Sequence, residues 1–201
     1  MESPARAALE TLASLVGTSL GGIVGRQREH IGPQGPHVPL GGEGPHAIGF
    51  SLGARILLTV AAANPERFNR LVVAGVGTNL FERDEERGRR IAAAVGGEED
   101  PEDPEARHFH ALADADDIDR ESLVAMMKTP RPDISGDVLS TVTFPVLVVL
   151  GDQDFAGPAD PLVDALPDAT LKTLRGVDHF ATPKSFDFID AGLEFLGANP
   201  F

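Results

Sequence analysis

The sequence predicts an α/β fold built on a mostly parallel sheet, and three observations support this prediction. Residues 71–76 and 144–150 are almost continuously apolar and rich in β-branched side chains, which is typical of strands buried on both faces of a sheet. Stretches with helical periodicity lie between and beside these runs, so strands and helices alternate along the chain. A chain of 201 residues with 42% hydrophobic residues is long enough for one sizeable core.

Composition narrows the classes of function. The formal net charge of −14, with 17 Lys and Arg, argues against a nucleic-acid or anionic-membrane partner. The chain has no cysteine, which excludes disulfides and thiolate metal sites and fits a cytoplasmic protein. We expect no membrane span, because no apolar run reaches about 18 residues. We expect no signal peptide, because the apolar stretch at 12–24 is broken by glycines and follows no basic segment.

Residues 47–54 carry the motif that organises the rest of the prediction. Ser51 stands between Gly49 and Gly53 in a Gly-x-Ser-x-Gly pattern, after a short apolar strand and before a helix at about 52–63. Strand, sharp turn and helix expose a serine hydroxyl at the carboxyl edge of a sheet, beside the positive end of the helix dipole. Because the turn is tight, we expect a Cβ at Gly49 or at Gly53 to press on neighbouring backbone.

A second Gly-x-Ser-x-Gly pattern surrounds Ser19. Its apolar character ends within a few residues, and the Gly- and Pro-rich segment 32–45 follows it instead of a strand. A nucleophile turn needs a strand on each side of its helix, which favours Ser51. We therefore interpret residues 1–45 as an atypical N-terminal part with one helix at 4–15 and a loop. Three scattered histidines lie in or beside this loop, and His30, His37 and His46 are not expected to bind metal.

The segment 79–137 is predicted to be a helical lid inserted between two strands. Its helices are expected at 81–95, 106–112 and 120–128, the first with oppositely charged pairs on a solvated face. His108 and His110 would point to different faces of a helix, so a metal role is not predicted. Some apolar lid residues are candidates to line a substrate pocket, and ordinary lid packing is the competing interpretation: Phe81, Phe109, Leu112, Met126 and Met127.

The last third of the chain completes the sheet. After the strand at 144–150 we predict a helix at 159–166, an edge strand at 169–174 and a closing amphipathic helix at 184–196. The apolar stripe of that helix is predicted to consist of Phe186, Ile189, Leu193 and Leu196.

A serine needs a base and a group that orients the base, and parallel sheets gather such groups at the carboxyl ends of their strands. Asp154 and His179 each follow a predicted strand, which gives the chain order Ser, Asp, His. His179 would take the proton of Ser51, and Asp154 would fix the imidazole tautomer. Asp152 and Asp178 are the competing acids; we favour Asp154, with Asp152 as the main alternative.

From about residue 46 onward the chain resembles the α/β-hydrolase superfamily. Three segments carry the resemblance, in the family's order of nucleophile, acid and histidine: Gly49-Phe50-Ser51-Leu52-Gly53, Gly151-Asp152-Gln153-Asp154 and Gly176-Val177-Asp178-His179-Phe180. The resemblance implies a serine esterase, lipase or lactonase that acts on a small acyl substrate without a cofactor, in a core spanning 46–201. Phe50 and Phe180, which flank the motif residues, join the candidate pocket.

The chain departs from the family ahead of Ser51. The family has about four strands there, and about 50 residues are too few for four strands with their crossovers. We therefore expect a sheet that lacks the front strands, with an exposed hydrophobic edge that favours a homodimer. The Leu52 backbone N–H is the expected first oxyanion donor. The second donor, for which Gly41-Gly42 is a weak candidate, has no clear source.

Two rival functions follow from these departures. The chain could be a catalytically impaired, hydrolase-like binding protein, because the loss of one oxyanion donor lowers the rate by about 10²–10³-fold. It could also be a cofactor-free haloperoxidase or an acyltransferase that uses the same three side chains.

Overall fold

The computed structural model describes residues 44–98, 100, 102–116, 118–129 and 134–198, and it contains a four-stranded, wholly parallel sheet. The strands follow one another across the sheet in chain order: β1 His46–Phe50, β2 Arg70–Ala74, β3 Val146–Gly151 and β4 Ala169–Leu174. The helices are α1 Leu52–Ala63, α2 Glu85–Gly96, α3 Pro104–Ala113, α4 Arg120–Lys128, α5 Gly136–Leu139, α6 Asp160–Ala165 and α7 Phe186–Phe195.

The two central strands are buried on both faces, as their apolar runs predict. Four of the five residues of β2 and all six of β3 are buried. The register aligns Leu71 with Val146 and Val73 with Val148. Since successive side chains of a strand point to opposite faces, each central strand contributes apolar groups to two separate cores.

Helices cover both faces of the sheet. On one face α1, α5 and α6 pack with Leu58, Leu139 and Leu162, which are fully buried against the odd-numbered residues of β2. On the other face α7 packs against Val72 and Val149. The result is a three-layer arrangement in which every strand ends at the same carboxyl edge, because the sheet is wholly parallel.

Helices α2, α3 and α4 lie between β2 and β3 in the chain, and we call the segment from α2 to α4 the helical insertion. It has its own small core of Ile91, Val95 and Ala113, with Phe109 and Met127 packed against it. None of the helices in the described ranges is long and apolar enough to cross a membrane.

The helix predicted at 81–95 begins later, at Glu85, so that boundary was wrong. The reason is Asp84, whose carboxylate accepts a hydrogen bond from the Arg87 backbone N–H (2.8 Å) and caps the helix. The strand predicted at 71–76 likewise ends at Ala74, because Gly75 has a φ of +67°. A residue in that conformation leaves the extended backbone of a strand.

The predicted apolar stripe of the closing helix was wrong at two of its four positions, whereas Leu196 packs against the sheet as predicted. Phe186 is 80% exposed and Ile189 is 39% exposed. The side chains that α7 packs against the sheet are Phe188, Ala191, Phe195 and Leu196. The sequence offers two apolar stripes at helical spacing, and only contact with the sheet decides which one is buried.

This assignment of faces is testable with two neighbouring substitutions. Phe188→Ala should lower the free energy of unfolding by about 2 kcal/mol, because it empties a half-buried site in the second core. Ile189→Ala, one residue on, should change it by less than about 0.5 kcal/mol, because the side chain is exposed. Urea denaturation measures both values. A larger loss for Ile189→Ala than for Phe188→Ala would reverse the assignment.

Candidate active site

Ser51 occupies a strained turn between β1 and α1. Its φ is +52° and its ψ is −116°, and it is the one non-glycine residue of the described chain with a positive φ. Such a conformation is costly for a residue with a Cβ and marks a site whose surroundings hold it in place. Ser51 is held by its backbone N–H, which donates to the Ala74 carbonyl at the end of β2 (2.8 Å).

The two flanking glycines of the turn do not play equal parts. A Cβ on Gly49 would lie 2.8 Å from the backbone of Gly53 and from the Ala54 nitrogen, so the turn requires glycine at position 49. A Cβ on Gly53 would meet nothing within 4 Å. The prediction of close packing at both glycines therefore fits Gly49 and was wrong for Gly53.

Leu52 is the first residue of α1, directly after Ser51. The first N–H groups of an α-helix have no acceptor within the helix and carry the positive end of its dipole. The Leu52 N–H is thus well suited to meet negative charge that develops beside Ser51.

His179 lies 3.0 Å from Ser51, measured from its Nε2 atom to the serine Oγ. Its Nδ1 atom lies 3.0 Å from each carboxylate oxygen of Asp154. Both side chains are nearly inaccessible to solvent, with 4% of the His179 side chain and none of the Asp154 side chain exposed. The structure thus brings together the three residues that the chain order selects.

Two loops converge to bring His179 to Asp154. Asp154 follows β3 and His179 follows β4, and the loops touch where the Gln153 N–H donates to the Val177 carbonyl (3.2 Å). A Cβ on Gly151 would lie 1.9 Å from that carbonyl oxygen, so only glycine permits the approach.

The hydrogen bonds define the protonation pattern of the imidazole. A carboxylate only accepts hydrogen bonds, so the Nδ1 atom of His179 carries the proton and donates it to Asp154. Nε2 is then free to accept from the Ser51 hydroxyl. The Ala156 N–H also donates to Asp154 (2.8 Å) and helps fix the carboxylate. This arrangement can withdraw a proton from a serine and return it to a leaving group.

The two competing acids have other partners. Asp152 is exposed and accepts a hydrogen bond from the Gly176 N–H (2.7 Å). Asp178 is exposed and accepts from the Ala181 N–H (2.8 Å). Each carboxylate stabilises a local turn, and the carboxylate in contact with His179 is that of Asp154.

Rings from three segments surround His179. Phe50, which ends β1, lies 4.7 Å from the imidazole between ring centroids, and Phe155 lies 4.2 Å from it. Phe180 lies 5.7 Å away in an edge-on contact. Gly75 leaves room for this shell, because a Cβ there would be 2.5 Å from Phe50 and 3.0 Å from His179. Sequence reasoning did not single out Phe155 or Gly75, although each directly follows a site residue or a strand end.

The helical insertion reaches the site through its own rings and a cation. His108 stacks on Phe180 with 3.8 Å between ring centroids, and Phe109 meets the same ring at 5.9 Å. The guanidinium of Arg87 lies over the Phe155 ring, 3.4 Å from its centroid. From the sequence, His108 was weighed only as a metal ligand, and Arg87 was placed on a solvated helix face; no short motif marks either of them.

Burial lowers the pKa of His108, and its electrostatic interactions with Lys184 and His179 lower it further, while Asp178 acts in the opposite direction. The imidazole that covers Phe180 therefore stays neutral to a lower pH than an exposed histidine does.

The other candidate pocket residues contribute mainly to the apolar packing of the sheet and of the helical insertion. Phe81 packs against the first core, beside the sheet. Met126 is half-buried on α4, and its neighbour Met127 packs in the core of the insertion. Phe109 also belongs to that core and reaches Phe180 at its edge.

Several sequence candidates lie outside the described residues. These are Ser19, the histidines at 30 and 37, and the Gly41-Gly42 pair proposed for the second oxyanion donor. Within the described ranges, no group of three or more His, Asp or Glu side chains is arranged to hold a metal ion.

Comparison with known proteins found similar structures at low sequence identity. The sequence matches no protein-family model, and comparison with curated proteins found no significant match. Among solved structures, the chain is similar to MGS-M2, an α/β hydrolase enzyme from a Medee basin deep-sea metagenome library. The TM-score is 0.60 at 19% identity, over 81% of this chain and 68% of that one.

Two further structures are similar at a comparable level. A hydrolase from Pseudomonas aeruginosa PA01 has a TM-score of 0.59 at 23% identity, over 78% of this chain and 66% of that one. Carboxylesterase CesB (YbfK) from Bacillus subtilis has a TM-score of 0.55 at 18% identity, over 80% and 62%. The chain thus spans about two thirds of each structure's own length. At these identities the likeness shows the fold, and the predicted fold class is confirmed.

The tight turn can be tested with its two glycines as a matched pair. Gly49→Ala should lower the free energy of unfolding by about 2–3 kcal/mol, because its Cβ would overlap backbone that has no room to move. Gly53→Ala adds the same methyl group to open space within a helix and should be neutral or stabilising by up to about 1 kcal/mol. Urea denaturation distinguishes the two. Equal stability of the two variants would contradict the close-packed turn.

Proposed function

We propose that this chain, which has the α/β-hydrolase fold, is a serine hydrolase that cleaves an ester or a related acyl compound through an acyl-enzyme on Ser51. The observation that carries the proposal is the hydrogen-bonded series from Ser51 through His179 to Asp154, with 3.0 Å at each step. The strained φ of Ser51 is a second, independent support, since strain of this kind clusters at functional sites.

The first half of the proposed reaction forms the acyl-enzyme. His179 Nε2 takes the hydroxyl proton of Ser51 while Oγ bonds to the acyl carbon, and the carbonyl electron pair moves onto oxygen. The tetrahedral intermediate then collapses and breaks the bond to the alcohol oxygen, which takes the proton from Nε2. Asp154 stabilises the imidazolium that exists between these two transfers.

The second half releases the acid. Nε2 of His179 takes a proton from water as the water oxygen bonds to the acyl carbon, and collapse returns the electron pair to Ser51 Oγ, which regains its proton. In each half, negative charge develops on the former carbonyl oxygen. The Leu52 N–H is the proposed donor to it, supported by its place as first residue of α1.

We further propose that the helical insertion acts as a lid that bounds the acyl or alcohol pocket. Support comes from its contacts beside His179: Arg87 over Phe155 and His108 on Phe180. Rings dominate this wall of the site, so we expect a small acyl substrate with apolar groups on either side of the scissile bond.

Hydrolysis of p-nitrophenyl acetate and butyrate tests the proposal. Ser51→Ala should lower kcat/KM by at least about 10³-fold, since it removes the nucleophile. Asp154→Asn should lower it by about 10³–10⁴-fold, because an amide favours the wrong imidazole tautomer. Asp152→Asn is the matched control. It preserves an oxygen that accepts from Gly176 and should stay within about threefold of the wild type.

Three results would count against the proposal. Turnover unaffected by Ser51→Ala would place the chemistry at another residue. Equal losses for the Asp152 and Asp154 variants would remove the distinction between the two acids. Background rates from a folded wild-type chain would favour the rival hypothesis of a binding protein with hydrolase-like architecture.

A further inference from the structure

Arg87 of the helical insertion is connected to His179 through a single ring. Its guanidinium carbon lies 3.4 Å from the centroid of Phe155, and the Phe155 ring lies 4.2 Å from the His179 ring with 33° between their planes. Phe155 in turn directly follows Asp154 in the chain. Phe155 therefore contacts the base, His179, and follows Asp154, which orients that base. Its ring also contacts the guanidinium of Arg87, which lies on α2.

The guanidinium of Arg87 is itself firmly held. Its Nε donates to both carboxylate oxygens of Glu105 on α3, at 2.9 and 3.0 Å, and its Nη2 donates to the same carboxylate. The two side chains are only 19% and 18% exposed. A planar fork that engages a carboxylate at two points has a fixed orientation as well as a fixed position. The backbone of Arg87 is also anchored, by the capping carboxylate of Asp84.

Phe155 needs such a support. The side chain is 38% exposed and belongs to the loop between β3 and α6, so neither a strand nor a helix holds it. A ring with 38% of its surface exposed gains less from burial than a core side chain does. A cation over a ring is attracted by the ring quadrupole and keeps that ring in place.

From these contacts we propose that Arg87 is a positioning residue for the base. It holds Phe155 against the imidazole of His179, and so keeps Nε2 aimed at Ser51 Oγ throughout both proton transfers. This inference rests on the proposed hydrolase function. It assigns to the helical insertion a second role beyond bounding a pocket, since the Arg87–Glu105 pair links two of its helices to the catalytic geometry.

The effect on kinetics follows from the mechanism. A displaced imidazole slows proton transfer in acylation and deacylation without changing how substrate is held before reaction, so kcat falls and KM does not. A residue that merely stabilised the insertion would instead alter thermal stability or KM, because the pocket wall itself would move.

The test measures hydrolysis of p-nitrophenyl acetate by three single variants, one double variant and a control variant. Arg87→Met, which keeps an apolar stem but loses the charge, should lower kcat about tenfold and change KM by less than twofold. Phe155→Leu should give a similar loss. Arg87→Lys retains a cation over the ring, so its kcat should fall by no more than about threefold. The double variant Arg87→Met/Phe155→Leu should be no slower than the worse single variant, because both changes remove one connection.

Arg90→Gln is the matched control. Arg90 lies on the same helix and pairs with the same acidic residues of the insertion, Asp103 at 3.7 Å and Glu105 at 4.0 Å, so its loss tests the general electrostatics of α2. Its kcat should stay within twofold of the wild type. Equal losses for Arg90→Gln and Arg87→Met would overturn the inference.

The remaining outcomes separate this inference from the proposed function. Wild-type turnover that depends on Ser51, together with unchanged kcat in the Arg87 and Phe155 variants, would overturn the inference and leave the hydrolase function intact. A wild-type chain without turnover would overturn both. If Arg87→Met does not fold, as judged by circular dichroism, Phe155→Leu decides the matter, because it leaves the Arg87–Glu105 pair in place. An unchanged kcat in that variant would contradict the inference.

Discussion

The positive φ of Ser51 is the constraint on which the candidate site depends. The chain must reverse from β1 into α1 within one residue, and it does so because position 49 has no Cβ to meet the backbone of α1. The reversal sets the start of α1 beside the serine and leaves the Ser51 N–H bonded to the end of β2. The sheet supplies the rigidity that keeps a strained conformation in place, since β2 and β3 are buried on both faces.

Glycines also let the other site residues come close to Ser51, because they allow backbone segments to approach one another. Gly151 lets the loop after β3 touch the loop after β4, which brings Asp154 to His179, and Gly75 opens the space that Phe50 and the imidazole share. Beyond these backbone contacts, aromatic rings pack around the imidazole of His179. The imidazole is packed between rings from β1 and from two loops, and the helical insertion adds His108 and Arg87 to the outer side of those rings. The site is thus built from the sheet outward, with loop side chains around the imidazole and helices of the insertion outside them.

The sequence predicted the sheet and helices well, and it predicted side-chain surroundings poorly, for physical reasons. Central strands can be recognised in the sequence because burial on both faces requires continuous apolar runs. The Ser51 turn can be recognised because its tight backbone requires a glycine. The buried face of α7 was predicted wrongly because Phe186 and Phe188 lie on competing stripes whose choice depends on the sheet. Phe155 and Arg87 were not identified because a cation–π contact across 68 residues of chain leaves no local pattern.

Covalent labelling shows whether Ser51 is an activated nucleophile. A fluorophosphonate probe reacts with a serine whose proton is withdrawn by a neighbouring base. We expect the folded wild-type chain to take up one probe, which mass spectrometry should find on the peptide containing Ser51. Ser51→Ala should take up none, and Ser19→Ala should be labelled like the wild type. Labelling at another residue, or a folded chain that takes up no probe, would show that Ser51 is not an activated nucleophile.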